Sequence, residues 1–265
     1  DRSTLWKSDS YLYTFISKFL ERLEQRQAVS EENRNQISQA IQHLSNLKNY
    51  PLTALEISMQ ATEEQVAEIF VRINSQGRTL NQSDFILTLM SVFWDEGRKQ
   101  LESFCYQAKQ PPTDNRPSSY NHYFQPAPDQ LLRVDVALAF RRARLEHVYS
   151  ILRGKDLQTG EFSPVRREEQ FARLHEAQEY VLDLQNWHDF LHVLKRAGYL
   201  HPSLISSQTA VVYTYALWLI GKRDFGLPFY ALRDVMARWF FMASLTRRYT
   251  TSPEARMEQD LALLR

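Results

Sequence analysis

Two histidines stand at a spacing that could hold a metal ion. His188 and His192 are four residues apart in a segment, 186–197, whose pattern predicts a helix, so both imidazoles would lie on one helix face. No third ligand is signalled nearby. The residue after His188 is Asp189 rather than the glutamate found in zinc-protease helices. The sequence therefore favours surface or structural histidines over a metal site.

The usual signatures of catalysis are absent from the 265 residues. There is neither a glycine-rich phosphate loop nor a glycine-flanked serine nucleophile. The single cysteine, Cys105, excludes an internal disulfide and a cysteine-based zinc site, and it has no activating partner in the sequence. A small buried core residue is the favoured interpretation. We expect no metal or cofactor in this chain.

The region 133–173 is rich in arginine and could contact DNA. It holds nine basic residues against six acidic ones, and a predicted loop at 154–164 would present them to phosphates, which arginine binds in bidentate fashion. The candidate DNA-binding residues are Arg141, Arg142, Arg144, Arg153 and Lys155. The alternative is a solvated face whose charges pair within helices, and the modest excess of positive charge favours it.

Composition indicates a mainly α protein. Hydrophobic residues make up 43% and charged residues 24%, glycine occurs only seven times, and the long periodic segments are rich in good helix formers. We predict a multi-helix bundle with at most one or two short strands near residues 51–58. The net charge of +1 gives no overall field for nucleic acid or membrane, and the most apolar run, 210–220, is too short to span a bilayer. It is more simply a buried helix. We expect no membrane partner and, with one cysteine, a cytoplasmic location.

Helical patterns fall on both sides of a proline-rich loop. We predict an N-terminal helical part over 1–110, a loop over 111–128 and a C-terminal helical part over 129–265. Because long structureless loops are uncommon inside compact domains, the loop is either a subdomain boundary or a functional lid.

Several helices have predicted ends or faces. Ser30 is expected to cap a helix whose buried stripe contains Ile37, Ala40, Ile41, Leu44 and Leu47. A later helix is predicted from Asp129 to about Leu152, and Asn186 with Asp189 is expected to cap the helix over 186–197.

Two helices joined by a tight turn are predicted over 62–108. Thr62 with Gln65 and Asn81 with Asp84 form capping-box patterns, and Gly77 lies at the turn between them. The second helix, running from residue 81 towards 108, is apolar nearly all round. This predicts burial and argues against a DNA-reading helix.

Arg72 and Asn74 are polar residues at the end of the first of these helices. They could bind a phosphate or a base from a neighbouring domain. Equally, they could cap the turn and pair with carbonyls, and the sequence alone favours that structural role.

The segment 69–96 closely resembles the signature of the GmrSD-like family, a domain of unknown function with a ParB/sulfiredoxin-like N-terminal fold. The motif F-v-R-I-N-x-x-G-x-x-L-x-x-x-D is matched by Phe70, Arg72, Ile73, Asn74, Gly77, Leu80 and Asp84. A second segment, RWFFMASLTRRYTTSPEARMEQDL, resembles the late helical motif of the family through Arg238, Trp239, Arg248, Tyr249, Ser252, Glu254 and Asp260. The two matches occur in the expected order, so the resemblance covers the whole chain.

The resemblance implies a nucleotide-dependent DNA restriction or phage-defence protein. In this family an N-terminal domain hydrolyses nucleoside triphosphate with a divalent metal, and a C-terminal HNH-type domain cuts DNA. The family's nucleotide motif, Asp-Gly-Gln-Gln-Arg, and the HNH motif are both missing from this sequence. We therefore expect the chain to be the helical middle of a larger protein, inactive by itself, with those two domains as partners.

The resemblance also suggests roles for particular residues. Arg72, Asn74 and Gly77 would contact the nucleotide-hydrolysing domain, and Arg72 and Asn74 would help to close its nucleotide pocket or sense its state. The late-motif residues Arg248, Tyr249, Glu254 and Asp260 would lead towards the nuclease domain. The alternative function is a DNA-binding module that uses the basic region 133–173.

Overall fold

Most residues are helical in the part of the chain that the structure, a computed structural model, describes: residues 9–51, 54, 56–58, 65–66, 69, 81–112, 116–156 and 159–264. These residues contain no β-sheet, and an isolated antiparallel bridge joins Lys155 to Phe162. The predicted mainly α, multi-helix fold is confirmed. Within 51–58, the described positions 51, 54 and 56–58 form no strand. The chain divides into two compact units, 1–66 and 67–265.

The first unit is built on two helices, α1 (Asp9–Glu24) and α2 (Glu31–Asn46), followed by a 3-10 turn at Leu47–Asn49. The Ser30 hydroxyl accepts the Asn33 N–H at 3.3 Å, which confirms the predicted cap. Leu44 and Leu47 are 51% and 57% exposed, and Ala40 is exposed as well, so the predicted buried stripe of α2 is wrong at these three positions. Ile37 and Ile41 are partly buried. Within this unit α2 packs against α1, and a single neighbouring helix cannot cover the whole stripe.

Nine α-helices are described in the second unit. They are α3 (Gln82–Phe93), α4 (Asp95–Gln107), α5 (Pro128–Phe140), α6 (Leu145–Leu152), α7 (Pro164–Val181), α8 (Leu184–Arg196), α9 (Gln208–Arg223), α10 (Phe229–Leu245) and α11 (Pro253–Ala262), with a 3-10 turn at Pro202–Leu204 before α9.

Helix α9 lies at the centre of this unit. Every residue from Ala210 to Gly221 is buried, as the apolar sequence predicted. It packs against α5 and α10, and α5 packs in turn against α7. The Trp187 ring from α8 meets Phe104 of α4 and Tyr215 of α9 edge-on, with centroids 5.5 and 5.4 Å apart. These aromatic contacts join three helices in one core.

Two predicted helices are interrupted in the structure. Trp94, with φ −158° and ψ 63°, separates α3 from α4, and its ring lies over Gly97, where any side chain would collide with it. The helix predicted from Asp129 to Leu152 ends instead at Phe140, because Arg141 adopts a left-handed conformation with φ 53° and ψ 38°. A second helix, α6, then begins at Leu145. Both predictions of one continuous helix are wrong.

Local capping patterns have mixed outcomes. The Asn81 N–H donates to the Asp84 carboxylate at 3.1 Å, which confirms the predicted start of α3. The predicted Asn186/Asp189 cap is wrong by three residues, since Asp183 accepts the Asn186 N–H at 2.7 Å. The Asn186 side chain is buried and donates to the carbonyl of Tyr180 at 2.9 Å.

Residues 116–128 of the proline-rich loop lie within the second unit and are bound to it. The Trp187 indole N–H donates to the Ser119 carbonyl at 2.9 Å, and the Ser119 hydroxyl donates to the Phe104 carbonyl at 2.7 Å. His188 Nε2 lies 2.8 Å from the carbonyl of Ser118. These hydrogen bonds hold the loop against α4 and α8.

Candidate functional site

The residues that resemble the first family motif lie mainly outside the described residues. This holds for Arg72, Asn74 and Gly77, the predicted contacts of the nucleotide domain. Asp84, the last residue of the motif, is described and caps α3. The structure therefore characterises the late motif and the basic region, and it brings these two together.

Two glutamates of α11 contact the linker between α5 and α6, residues 141–144, and the residues on either side of it. Glu258 accepts the N–H of Ala143 at 2.7 Å and that of Arg144 at 3.3 Å, and its other oxygen binds the Arg142 guanidinium at 2.7 Å. Burial alone would raise the pKa of Glu258, but the Ala143 N–H and the Arg142 guanidinium outweigh it and lower that pKa. The carboxylate is therefore charged and held by three donors.

Glu254, one turn earlier on α11, extends the same arrangement. It binds the Arg133 guanidinium of α5 at 2.6 Å and accepts the N–H of Leu145, the first residue of α6, at 3.4 Å. Carboxylates at a helix N-terminus satisfy N–H groups that have no partner within the helix. We refer to Arg133, Arg142, Glu254 and Glu258 as the linker cluster.

Arg141, the first residue of the linker, is held from another side. Its guanidinium forms an ion pair with Asp224, which follows α9. Burial and the nearby Arg223 lower the pKa of Arg141, and Arg223 in turn donates to the Leu138 carbonyl at 3.0 Å. The strained left-handed turn is therefore anchored by a tertiary contact.

The other predicted DNA-binding residues lie beside aromatic rings or at the surface. The Arg153 guanidinium is 4.7 Å from the centroid of the Phe162 ring and 5.7 Å from that of Tyr149. The Lys155 ammonium is 5.8 Å from the Phe162 centroid, and the Arg144 side chain is exposed. These rings lie close in the sequence, since Tyr149 comes four residues before Arg153 and Phe162 lies in the predicted loop at 154–164. The carboxylates that bind Arg141 and Arg142 come from distant parts of the chain, and sequence reasoning did not find them.

The rest of the late motif forms a compact polar group at the end of the chain. Asp260, buried on α11, accepts the Tyr249 hydroxyl at 2.7 Å and the Arg248 guanidinium at 3.0 Å. Burial, together with Asp260, raises the pKa of Tyr249, so this hydroxyl stays protonated and donates. The Arg248 guanidinium also lies 5.4 Å from the Trp239 ring centroid on α10. The motif thereby ties α11 to the end of α10.

Sequence reasoning missed one buried acid altogether. Asp135, on the inner side of α5, is fully buried, and neither carboxylate oxygen has a hydrogen-bond partner among the described residues. Burial raises its pKa well above the ordinary value. Its charge would act on Tyr215 and Cys105, and burial also raises the pKa of both, that of Cys105 to about 12. Three titratable groups in this core therefore favour their neutral forms.

His188 and His192, the histidines at metal-binding spacing, differ in burial. His188 is partly buried against the Ser118 carbonyl, whereas His192 is exposed. Among the described residues, no group of three or more His, Cys, Asp or Glu side chains could hold a metal ion.

Comparison of the chain with known protein families, with characterised proteins and with solved structures found no match. None of the described helices is both long enough and apolar enough to cross a bilayer.

Proposed function

We propose that this chain is the helical coupling region of a GmrSD-like, nucleotide-dependent restriction or phage-defence protein. The intact protein would hydrolyse nucleoside triphosphate with a divalent metal in one domain and cut DNA in an HNH domain. The observation that carries the proposal is the linker cluster, because late-motif and basic-region residues bind each other there. Within the cluster, Arg133 is paired with Glu254 and Arg142 with Glu258.

The cluster supports coupling through its connectivity. Glu258 and Glu254 belong to one helix, and they contact Arg133 of α5, the linker and the first turn of α6. A displacement of α11 would break these bonds or carry α5 and α6 with it. Such a shared set of bonds is one way in which two neighbouring domains can influence each other.

The same geometry weakens the alternative of a DNA-binding module. The guanidinia of Arg133, Arg141 and Arg142 form ion pairs with carboxylates. Binding a phosphate there would leave a partly buried carboxylate without its partner, which is costly. Of the five candidate DNA-binding residues, Arg144 and Lys155 have the most exposed positions.

DNA binding can be measured directly on the 265-residue chain. We expect fluorescence anisotropy with a duplex probe to give no affinity that falls steeply with salt, because few phosphates would be neutralised. The natural chain should be compared with the double variant Arg144→Glu, Lys155→Glu, since this variant leaves the ion pairs of the linker cluster intact. Salt-dependent binding of the natural chain that this variant abolishes would favour the DNA-binding module.

The coupling role is testable in the intact protein. Finding an Asp-Gly-Gln-Gln-Arg string upstream and an HNH motif downstream in the gene would establish the class. Arg72→Ala is then expected to lower both nucleotide hydrolysis and DNA cleavage. Arg78→Ala is the matched control, because residue 78 occupies a variable place in the motif. Unchanged hydrolysis and cleavage in Arg72→Ala would contradict the proposed role.

A further inference from the structure

Helix α10 carries a row of exposed apolar side chains. Val235, Met242 and Leu245 are 55%, 51% and 66% exposed, and their spacing of seven and three residues places them on one face of the helix. Phe241 is exposed beside them. Single exposed apolar side chains are ordinary, whereas a row along one helix face is typical of an interaction surface.

A hollow lies on each side of this helix. One, of about 350 Å³, lies between α9, α10 and the end of α11, and its wall is almost wholly apolar, including Leu217, Leu232, Met236 and Leu264. The other, of about 430 Å³, lies towards the end of α8 and is lined by Arg196, Ala197, Asp234, Ala237, Arg238, Phe241 and Met242. Val235 lines the first hollow and Met242 the second, so the exposed row forms a ridge between two grooves. We call this surface the α10 ridge.

The charge of the α10 ridge is positive. Arg196 and Arg233 both bind Asp234, with N–O distances of 2.9 and 3.0 Å. Arg238, on the ridge, and Arg247, just after it, are exposed, and their side chains make no hydrogen bond or ion pair with the described residues. Beside the first hollow Arg248 binds Asp260, so five arginines stand against two aspartates.

We propose that the α10 ridge binds an amphipathic helix of a partner protein, one with an apolar stripe flanked by acidic residues. Side chains of two helices pack by placing the ridges of one into the grooves of the other, and the α10 ridge with its two hollows has this relief. Carboxylates beside the stripe would meet Arg238 and Arg247, whose side chains have no other partner in the described structure.

The charge and shape of the ridge disfavour other occupants. A second copy of this chain would bring the same arginines against each other in a two-fold interface, and like charges repel. A membrane surface is approached by a continuous apolar face rather than a ridge between hollows. This inference goes beyond the proposed coupling role and does not depend on it.

The test uses the full 265-residue chain and a displayed library of helical peptides. Each peptide has about 18 residues, roughly five turns. Leucine is fixed along one helix face, and all the remaining positions are drawn from Glu, Lys, Gln and Ala. We expect selected peptides to contain more glutamate than lysine, and their affinity to fall as salt rises. We expect Met242→Glu to weaken binding by about tenfold or more, and Arg238→Glu to remove the preference for glutamate.

Val165→Glu is the matched control, because Val165 is also an exposed apolar residue but lies on α7. It should leave binding unchanged, and all variants should melt at similar temperatures since the altered positions are exposed. Peptides without excess glutamate, or binding that Met242→Glu leaves intact, would overturn the proposal. So would a dimer of the chain that Met242→Glu dissociates, or adsorption to phosphatidylserine vesicles in the absence of any selected peptide.

Discussion

Replacing Asp135 by asparagine should stabilise the protein, and the gain should grow with pH. The side chain is fully buried on α5 without a hydrogen-bond partner among the described residues, and burial raises its pKa. In the unfolded chain the same carboxyl has a pKa of about 3.9. Between these two pKa values the folded protein retains a proton that the unfolded chain releases. Rising pH therefore favours unfolding.

The magnitude follows from this single proton. The free energy of unfolding of the natural chain should fall, relative to that of Asp135→Asn, by up to about 1.4 kcal/mol for each pH unit in this interval. Below about pH 3.9 the Asp135 carboxyl is protonated in the folded and in the unfolded chain, and the pH-dependent difference in stability vanishes. Asp135→Leu should add a further gain of ~1–3 kcal/mol at every pH, because it removes a buried polar group that has no partner.

Urea unfolding followed by circular dichroism at several pH values from 4 to 8 measures these differences. Asp95→Asn serves as the control, because Asp95 is exposed on α4 and is paired with Lys99. A difference between Asp135→Asn and the natural chain that stays constant with pH would refute the reasoning. So would a loss of stability in Asp135→Asn at neutral pH, since that would mean the folded protein holds a charged, satisfied carboxylate.

Three further predictions concern other parts of the second unit. Glu258→Gln should destabilise the chain by ~1–3 kcal/mol in urea unfolding, because it weakens bonds to Arg142 and to two backbone N–H groups; an unchanged midpoint would contradict the linker cluster. Cys105 should resist iodoacetamide in the folded protein at pH 8, where a pKa of about 12 leaves roughly one thiolate in ten thousand, and it should react on unfolding. Gly154→Ala should destabilise far more than Gly160→Ala: both glycines have positive φ, but only at Gly154 would the new methyl collide with a backbone carbonyl. Equal losses in the two alanine variants would show that the collision is relieved.

The confirmed features of the fold depend on short-range patterns. Ser30 and the Asn81/Asp84 pair cap helices because a polar side chain within three residues can satisfy a free N–H. The buried helix at 210–220 follows from the absence of any polar face. Such patterns require no knowledge of distant residues.

The features that were missed depend on partners far along the chain. The helix break at Arg141 involves Asp224, and the linker bonds come from Glu254 and Glu258. In the sequence these acids resemble ordinary surface charges, and Asp135 resembles one more of them. The burial and pairing of these acids depend on which helices become neighbours. Charge counts and hydrophobic periodicity do not encode that information.

The proline-rich loop has a consequence for how this protein can vary in evolution. Trp187 and His188 hold the loop through the backbone carbonyls of Ser119 and Ser118, so those bonds do not depend on which side chains stand at 118 and 119. The Ser119 hydroxyl adds one bond of its own, to Phe104. The Ser118 hydroxyl accepts the Tyr120 N–H at 3.3 Å. Related sequences should therefore favour serine, or another side chain that can accept this bond, at position 118, while tryptophan and histidine persist at 187 and 188. The residues whose conservation keeps the loop in place would thus lie on α8 and not in the loop itself.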